Sequence, residues 1–84
     1  MDAAEIHISS MVVHARPEHL SSVKQGIESL TGSEIYGESA CGKLVVVLES
    51  HTQEHITESI DRIAALDNVL STALVYHQIE SIEP

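Results

Sequence analysis

Lys43-Leu-Val-Val-Val-Leu-Glu-Ser50 is the longest β-branched apolar run in the chain, entered from Ala40-Cys41-Gly42 and left through His51-Thr52. Successive strand residues point to opposite faces of a sheet, so unbroken apolar residues here require both faces to be partly apolar. That is the pattern of a central strand. Leu44, Val46 and Leu48 form one of its faces, and Lys43, Val45, Val47 and Glu49 the other. Charges at both ends of the second set send the first set to the core.

On either side of this run lies a similar strand–helix pattern. Ile6 to Ala15 reads as a strand, followed by Pro17, a good first helical residue, and Glu18, an acid suited to the positive end of a helix. Leu20, Val23, Ile27 and Leu30 recur at helical spacing and predict an amphipathic helix over residues 17–30. Gly26 within it suggests close approach to the sheet, and Gly32 a left-handed cap. Glu34 to Ser39 is polar enough for a sheet edge and turns through Ala40-Cys41-Gly42 into the valine run. Thr52 is positioned as an N-cap, and Ile56, Ile60, Ile63 and Leu66, with Ala64 beside them, mark the buried face of a second helix. Asp67-Asn68 breaks that helix, and Val69 to Ile79 forms the last strand.

The order β-α-β-β-α-β predicts an α+β, ferredoxin-like split-βαβ fold, with both helices on one face of a four-stranded antiparallel sheet. A single domain spans residues 1–84, its ordered core about 6–79, with a frayed leader over 1–5 and a loose acidic tail over 80–84. In the first strand Met11, Val13 and Ala15 are expected inward, leaving Ser10, Val12 and His14 open. In the last strand Val69, Thr72, Leu74 and Tyr76 are expected inward, leaving Ala73, Val75 and His77 open. A one-residue slip would reverse either assignment. The open face therefore carries a patch of valines and small residues, which a monomer seldom leaves bare unless something binds there.

Composition narrows the chemistry. Thirteen acids face only Arg16, Lys24, Lys43 and Arg62, a net charge of −9. That field disfavours nucleic acid and anionic lipid and favours cationic partners. At 84 residues the chain buries only about 60% of its unfolded surface and has no room for a deep cavity. A single cysteine forms neither an internal disulfide nor a CxxC site, which fits a reducing compartment. The first residues lack a basic segment followed by an apolar one, so a soluble, cytoplasmic protein is expected. His51 and His55 offer two ligands on one helical face, half of a metal site, and neither a metal nor another cofactor is expected. Cys41 beside Gly42 reads as a surface thiol, and Glu34 with Glu38 as solvated charges rather than an acid–base pair. No enzymatic constellation emerges.

Three stretches together resemble a known family. Ser10-Met-Val-Val13 with Ala15-Arg-Pro17, then Gly42-Lys-Leu-Val-Val-Val-Leu-Glu49, and most specifically Val69-Leu-Ser-Thr-Ala-Leu-Val-Tyr-His-Gln-Ile-Glu80, are similar to the NapD chaperones of periplasmic nitrate reductase, over about residues 7–80. The resemblance implies a cytoplasmic chaperone. Its partner is then the twin-arginine signal peptide of the nitrate reductase catalytic subunit, bound as a helix on the open sheet and held back from export until the molybdenum cofactor is inserted. The peptide-binding residues expected on this chain are Ser10, Val12, His14, Val45, Val47, Glu49, Ala73, Val75, Tyr76 and His77. Glu34, Glu38, Glu49 and Glu80 are the candidates to meet the arginines. The protein would be a monomer or weak dimer without stable membrane association.

Other users of this topology fit less well. An RNA-recognition domain needs stacking aromatics on a basic sheet, and Tyr36 and Tyr76 are the only large aromatics. A metallochaperone needs CxxC where Ala15-Arg16 stands, and an acylphosphatase-like enzyme needs an asparagine that only Asn68 offers, before the wrong strand. The rival reading is an ACT-like domain that binds a small ligand and dimerises through its sheet, but Arg16-Pro17 occupies the loop where such domains carry glycine.

Overall fold

A computed structural model describes residues 5–81, and the expectations for residues 1–4 and 82–84 lie outside them. The elements run β1 (Glu5–Ala15), a 3-10 turn (Pro17–His19), α1 (Leu20–Glu28), β2 (Ser33–Glu38), β3 (Lys43–Ser50), α2 (Gln53–Ala64) and β4 (Val69–Ser81). The sheet order is β2-β3-β1-β4, antiparallel throughout, with β3 and β1 central as the valine run requires. Glu5 opens β1 and Glu80–Ser81 close β4, so the first and last strands reach past the predicted core and take in part of the expected leader and tail.

Burial alternates along both central strands. His7, Ser9, Met11, Val13 and Ala15 of β1 and Leu44, Val46 and Leu48 of β3 face the helices and are buried. Val23 and Ile27 of α1 and Ile56 and Ile63 of α2 close over them, with Leu20, Leu30, Ile35, Ile60, Leu66 and Val69 around the margin. Ala64 is exposed, and Ser59 takes a buried place on α2 instead. The first helix begins later than its periodicity suggests, because Pro17 starts a 3-10 turn before Leu20.

The loops explain the two halves. Each helix leaves through a residue with left-handed backbone, Gly32 at φ +84° and Asn68 at φ +74°. Ser33 Oγ donates to the carbonyls of Ile27 at 2.5 Å and Leu30 at 2.8 Å, closing the end of α1. Thr52 Oγ1 accepts from the His55 amide at 3.1 Å and caps α2. Gly26 makes its close approach to the Leu66 side chain beyond α2, not to the sheet as expected. His51 Nδ1 donates to the Glu5 carbonyl at 3.0 Å and His55 Nε2 to that of Thr31 at 3.1 Å, so this pair ties the start of α2 to β1 and to the loop after α1.

Candidate functional site

Both helices pack on one side of the sheet, and the other side is bare. Directly paired residues on neighbouring strands share a face, so the registers lay this surface out as a grid. One row is Ser71–His14–Lys43 and the next is Ala73–Val12–Val45–Gly37. Then come Tyr76–Ser10–Val47–Glu34 and Gln78–Ile8–Glu49. The middle rows are apolar and low: Gly37, Ala73 and Ser10 are small, and Val45 is 43% exposed. Lys43 stands at one end beside the imidazole of His14. Carboxylates stand at the other.

Of the expected contact residues, Ser10, Val12, His14, Val45, Val47, Glu49 and Ala73 lie on this face. The last strand departs from expectation. A bulge between Met11 and Ser10 pairs Met11 with Leu74 but Ser10 with Tyr76, leaving Val75 without a partner on β1. The extra residue reverses the faces beyond it. Tyr76, expected inward, stands on the open face, while His77, expected open, pairs with Ser9 on the helix side. His77 Nδ1 and Ser9 Oγ are hydrogen-bonded at 2.5 Å, and the ring lies 5.8 Å from that of buried His7. His77 is therefore removed from the candidate face.

A bulge between Ile35 and Gly37 on β2 has the same effect on the acids. It pairs Glu38 with Leu44, on the helix side, where Lys24 Nζ meets its carboxylate at 2.6 Å. That hydrogen bond and charge raise the Lys24 pKa above the ordinary lysine value. Glu80 keeps to the open face but accepts from Gln78 Nε2 at 2.5 Å, and Gln78 Oε1 in turn accepts from the Tyr76 hydroxyl. Glu34 and Glu49 are left. With Ile8, Ser33, Tyr36 and Val47 they line a hollow of about 270 Å³ at one end of the open face. Ile8, Gln78 and Tyr36 escaped the sequence reading. Alternation back from Ser10 signals Ile8, whereas Gln78 and Tyr36 need the strand pairing.

Fold and surface together define a class: a split-βαβ domain with one uncovered, apolar-centred sheet face. Among the described residues there is no group of three metal-ligating side chains, and no helix is long and apolar enough to cross a membrane. Comparison with known proteins resolves the class. The model of the NapD protein family matches residues 6–81. The chaperone NapD of Escherichia coli K12 is 31% identical over 74 residues, covering 87% of this chain and 85% of that protein. That of Haemophilus influenzae is 28% identical over 78 residues, covering 92% and 84%. The solution structure of the E. coli Tat proofreading chaperone protein NapD superposes with a TM-score of 0.80 at 31% identity, covering 87% of this chain and 78% of the other. The chain belongs to the NapD family. Its relatives are chaperones, and its role is not enzymatic.

Proposed function

We propose that this protein is a cytoplasmic chaperone that binds the twin-arginine signal peptide of the periplasmic nitrate reductase catalytic subunit. The peptide docks as a helix on the open sheet and is withheld from export until the molybdenum cofactor is in place. The observation that carries this reading is the bare face itself: rows of valines and small residues, uncovered by either helix and rimmed by acids. The name of the E. coli relative as a Tat proofreading chaperone supports it.

Each part of the face has a physical task. Val12, Val45 and Val47 offer apolar area worth roughly 25 cal/mol per Å² buried, less the cost of ordering the peptide. Ser10, Ala73 and Gly37 let a helix backbone approach closely. Carboxylates at the rim attract basic peptides and speed encounter, so added salt slows association.

The test is an amide NMR titration with a twin-arginine peptide, against a control whose arginines are glutamines. Saturable shifts over Val12, Val45, Val47 and Ala73, much weaker with the control, are expected. No saturable shift with either peptide would sink the reading.

A further inference from the structure

Four acids were candidates to meet a cationic partner, and the structure separates them. Glu38 has turned to the helix side and is neutralised by Lys24, and Glu80 is held by Gln78. Among the described residues, the carboxylates of Glu34 and Glu49 have neither an ion-pair nor a hydrogen-bond partner. They stand on adjacent strands, Glu34 opposite Val47 and Glu49 two residues further along β3. Such diagonal neighbours are about 7–8 Å apart. Between them lies the hollow walled by Ile8, Val47 and Tyr36.

We infer that this hollow is an arginine subsite, and that it fixes the direction in which a peptide lies on the sheet. The inference rests on the peptide-binding reading and adds to it a place and a polarity. A guanidinium suits the hollow better than an ammonium does. Its planar fork carries donors on more than one edge, enough for two separate carboxylates, and its weakly hydrated face packs against Tyr36 and the aliphatic wall. At about 270 Å³ the hollow is below the roughly 300–1,000 Å³ of small-molecule pockets, a size that suits one side chain.

The direction follows from the opposite end of the face. Glu49 lies six steps along β3 from Lys43, about 20 Å of strand, which a helix of about 13 residues spans. A helix with its N-terminus over Glu34 and Glu49 sets its positive dipole end against carboxylates. Its last carbonyls then fall near Lys43 and His14. In export signals the basic residues precede the apolar run. Arginine placement and dipole therefore demand the same orientation, with the apolar run over Val12, Val45 and Ala73.

The experiment measures the affinity of the full chain for the twin-arginine peptide and for its lysine and glutamine counterparts. Wild type is compared with Glu34→Gln, Glu49→Gln, their double variant and Glu38→Gln, each checked for an unchanged melting temperature. The double variant is expected to lose about tenfold for the arginine peptide and little for the glutamine one, while Glu38→Gln stays within about twofold. A nitroxide at the peptide N-terminus is expected to broaden the amides of Ser33, Glu34 and Glu49, and one at the C-terminus those of His14 and Lys43. Wild-type binding with an undiminished double variant, or with the broadening reversed, overturns the subsite while the peptide reading stands. Failure of wild type to bind any of the peptides removes both.

Discussion

Cys41 shows how much one neighbour sets a side chain's chemistry. It is exposed in the β2–β3 turn, with Ser39 Oγ 3.0 Å from its sulfur. The serine hydroxyl, helped by the charge of Lys43 and opposed by desolvation, holds the thiol below the ordinary cysteine range. A depressed pKa means that the folded chain carries more thiolate than the unfolded chain at pH values between the two. The linked stabilisation is present above the unfolded pKa and lost as pH falls through the folded one. Alkylation of the native protein should therefore reach half its maximal rate at a lower pH than in Ser39→Ala. Iodoacetamide labelling followed by mass spectrometry checks this, and identical midpoints would show that the serine has no such effect. Spacing alone identifies Cys41 as an exposed turn thiol. The Ser39 contact depends on the turn's geometry, in which Gly42 takes φ +101°.

At the scale of elements, periodicity reveals the strands and helices but not the places where pairing slips. The faces of β1 and β3 follow from their alternation because every residue of β3 has a regular partner on β1 from His7–Ser50 to His14–Lys43. β2 carries one bulge and β4 two, at Val75 and at Leu70, and a bulge is a property of two strands, invisible in either sequence. Thus Val12, Val45 and Val47 are legible as the candidate face, whereas Tyr76, His77 and Glu38 are not. The arrangement predicts an unusual tolerance. Deleting Val75 joins Leu74 to Tyr76 and restores regular pairing, with Met11–Leu74 and Ser10–Tyr76 retained. Deletion of Val46 from β3, whose pairs with β1 are all regular, by contrast throws buried Leu44 or Leu48 out of phase. The Val75 deletion is expected to melt within a few degrees of wild type and keep the Ser9–His77 contact. The Val46 deletion should unfold much earlier. Circular-dichroism melts and cross-strand NOEs decide, and equal losses for the two deletions would contradict the bulge.

At the scale of the molecule, the two edges of the sheet are guarded differently. β2 is six residues long and carries Glu34 and Glu38, the usual means of discouraging edge pairing. β4 is thirteen residues long, with no charged residue or proline from Val69 to Ile79. Leu70, Leu74, Val75, Tyr76 and Ile79 are each at least half exposed along it. What protects this edge locally is its two bulges, and globally the net charge of −9 shared by every copy. Weakening the global guard should expose the local weakness. Near the isoelectric pH of about 4.8, or at about 1 M salt where the screening length falls to about 3 Å, copies are expected to associate through β4. A lysine in place of Leu74 restores a charged edge and should keep the chain monomeric under both conditions, whereas Tyr36→Lys on the opposite edge strand should not. Sedimentation velocity at pH 7 and 4.8, and at low and high salt, measures this. If Leu74→Lys associates as readily as wild type, the contact lies elsewhere; if it stays monomeric while Tyr36→Lys does not, the long uncharged strand is the surface that the acidic field keeps apart.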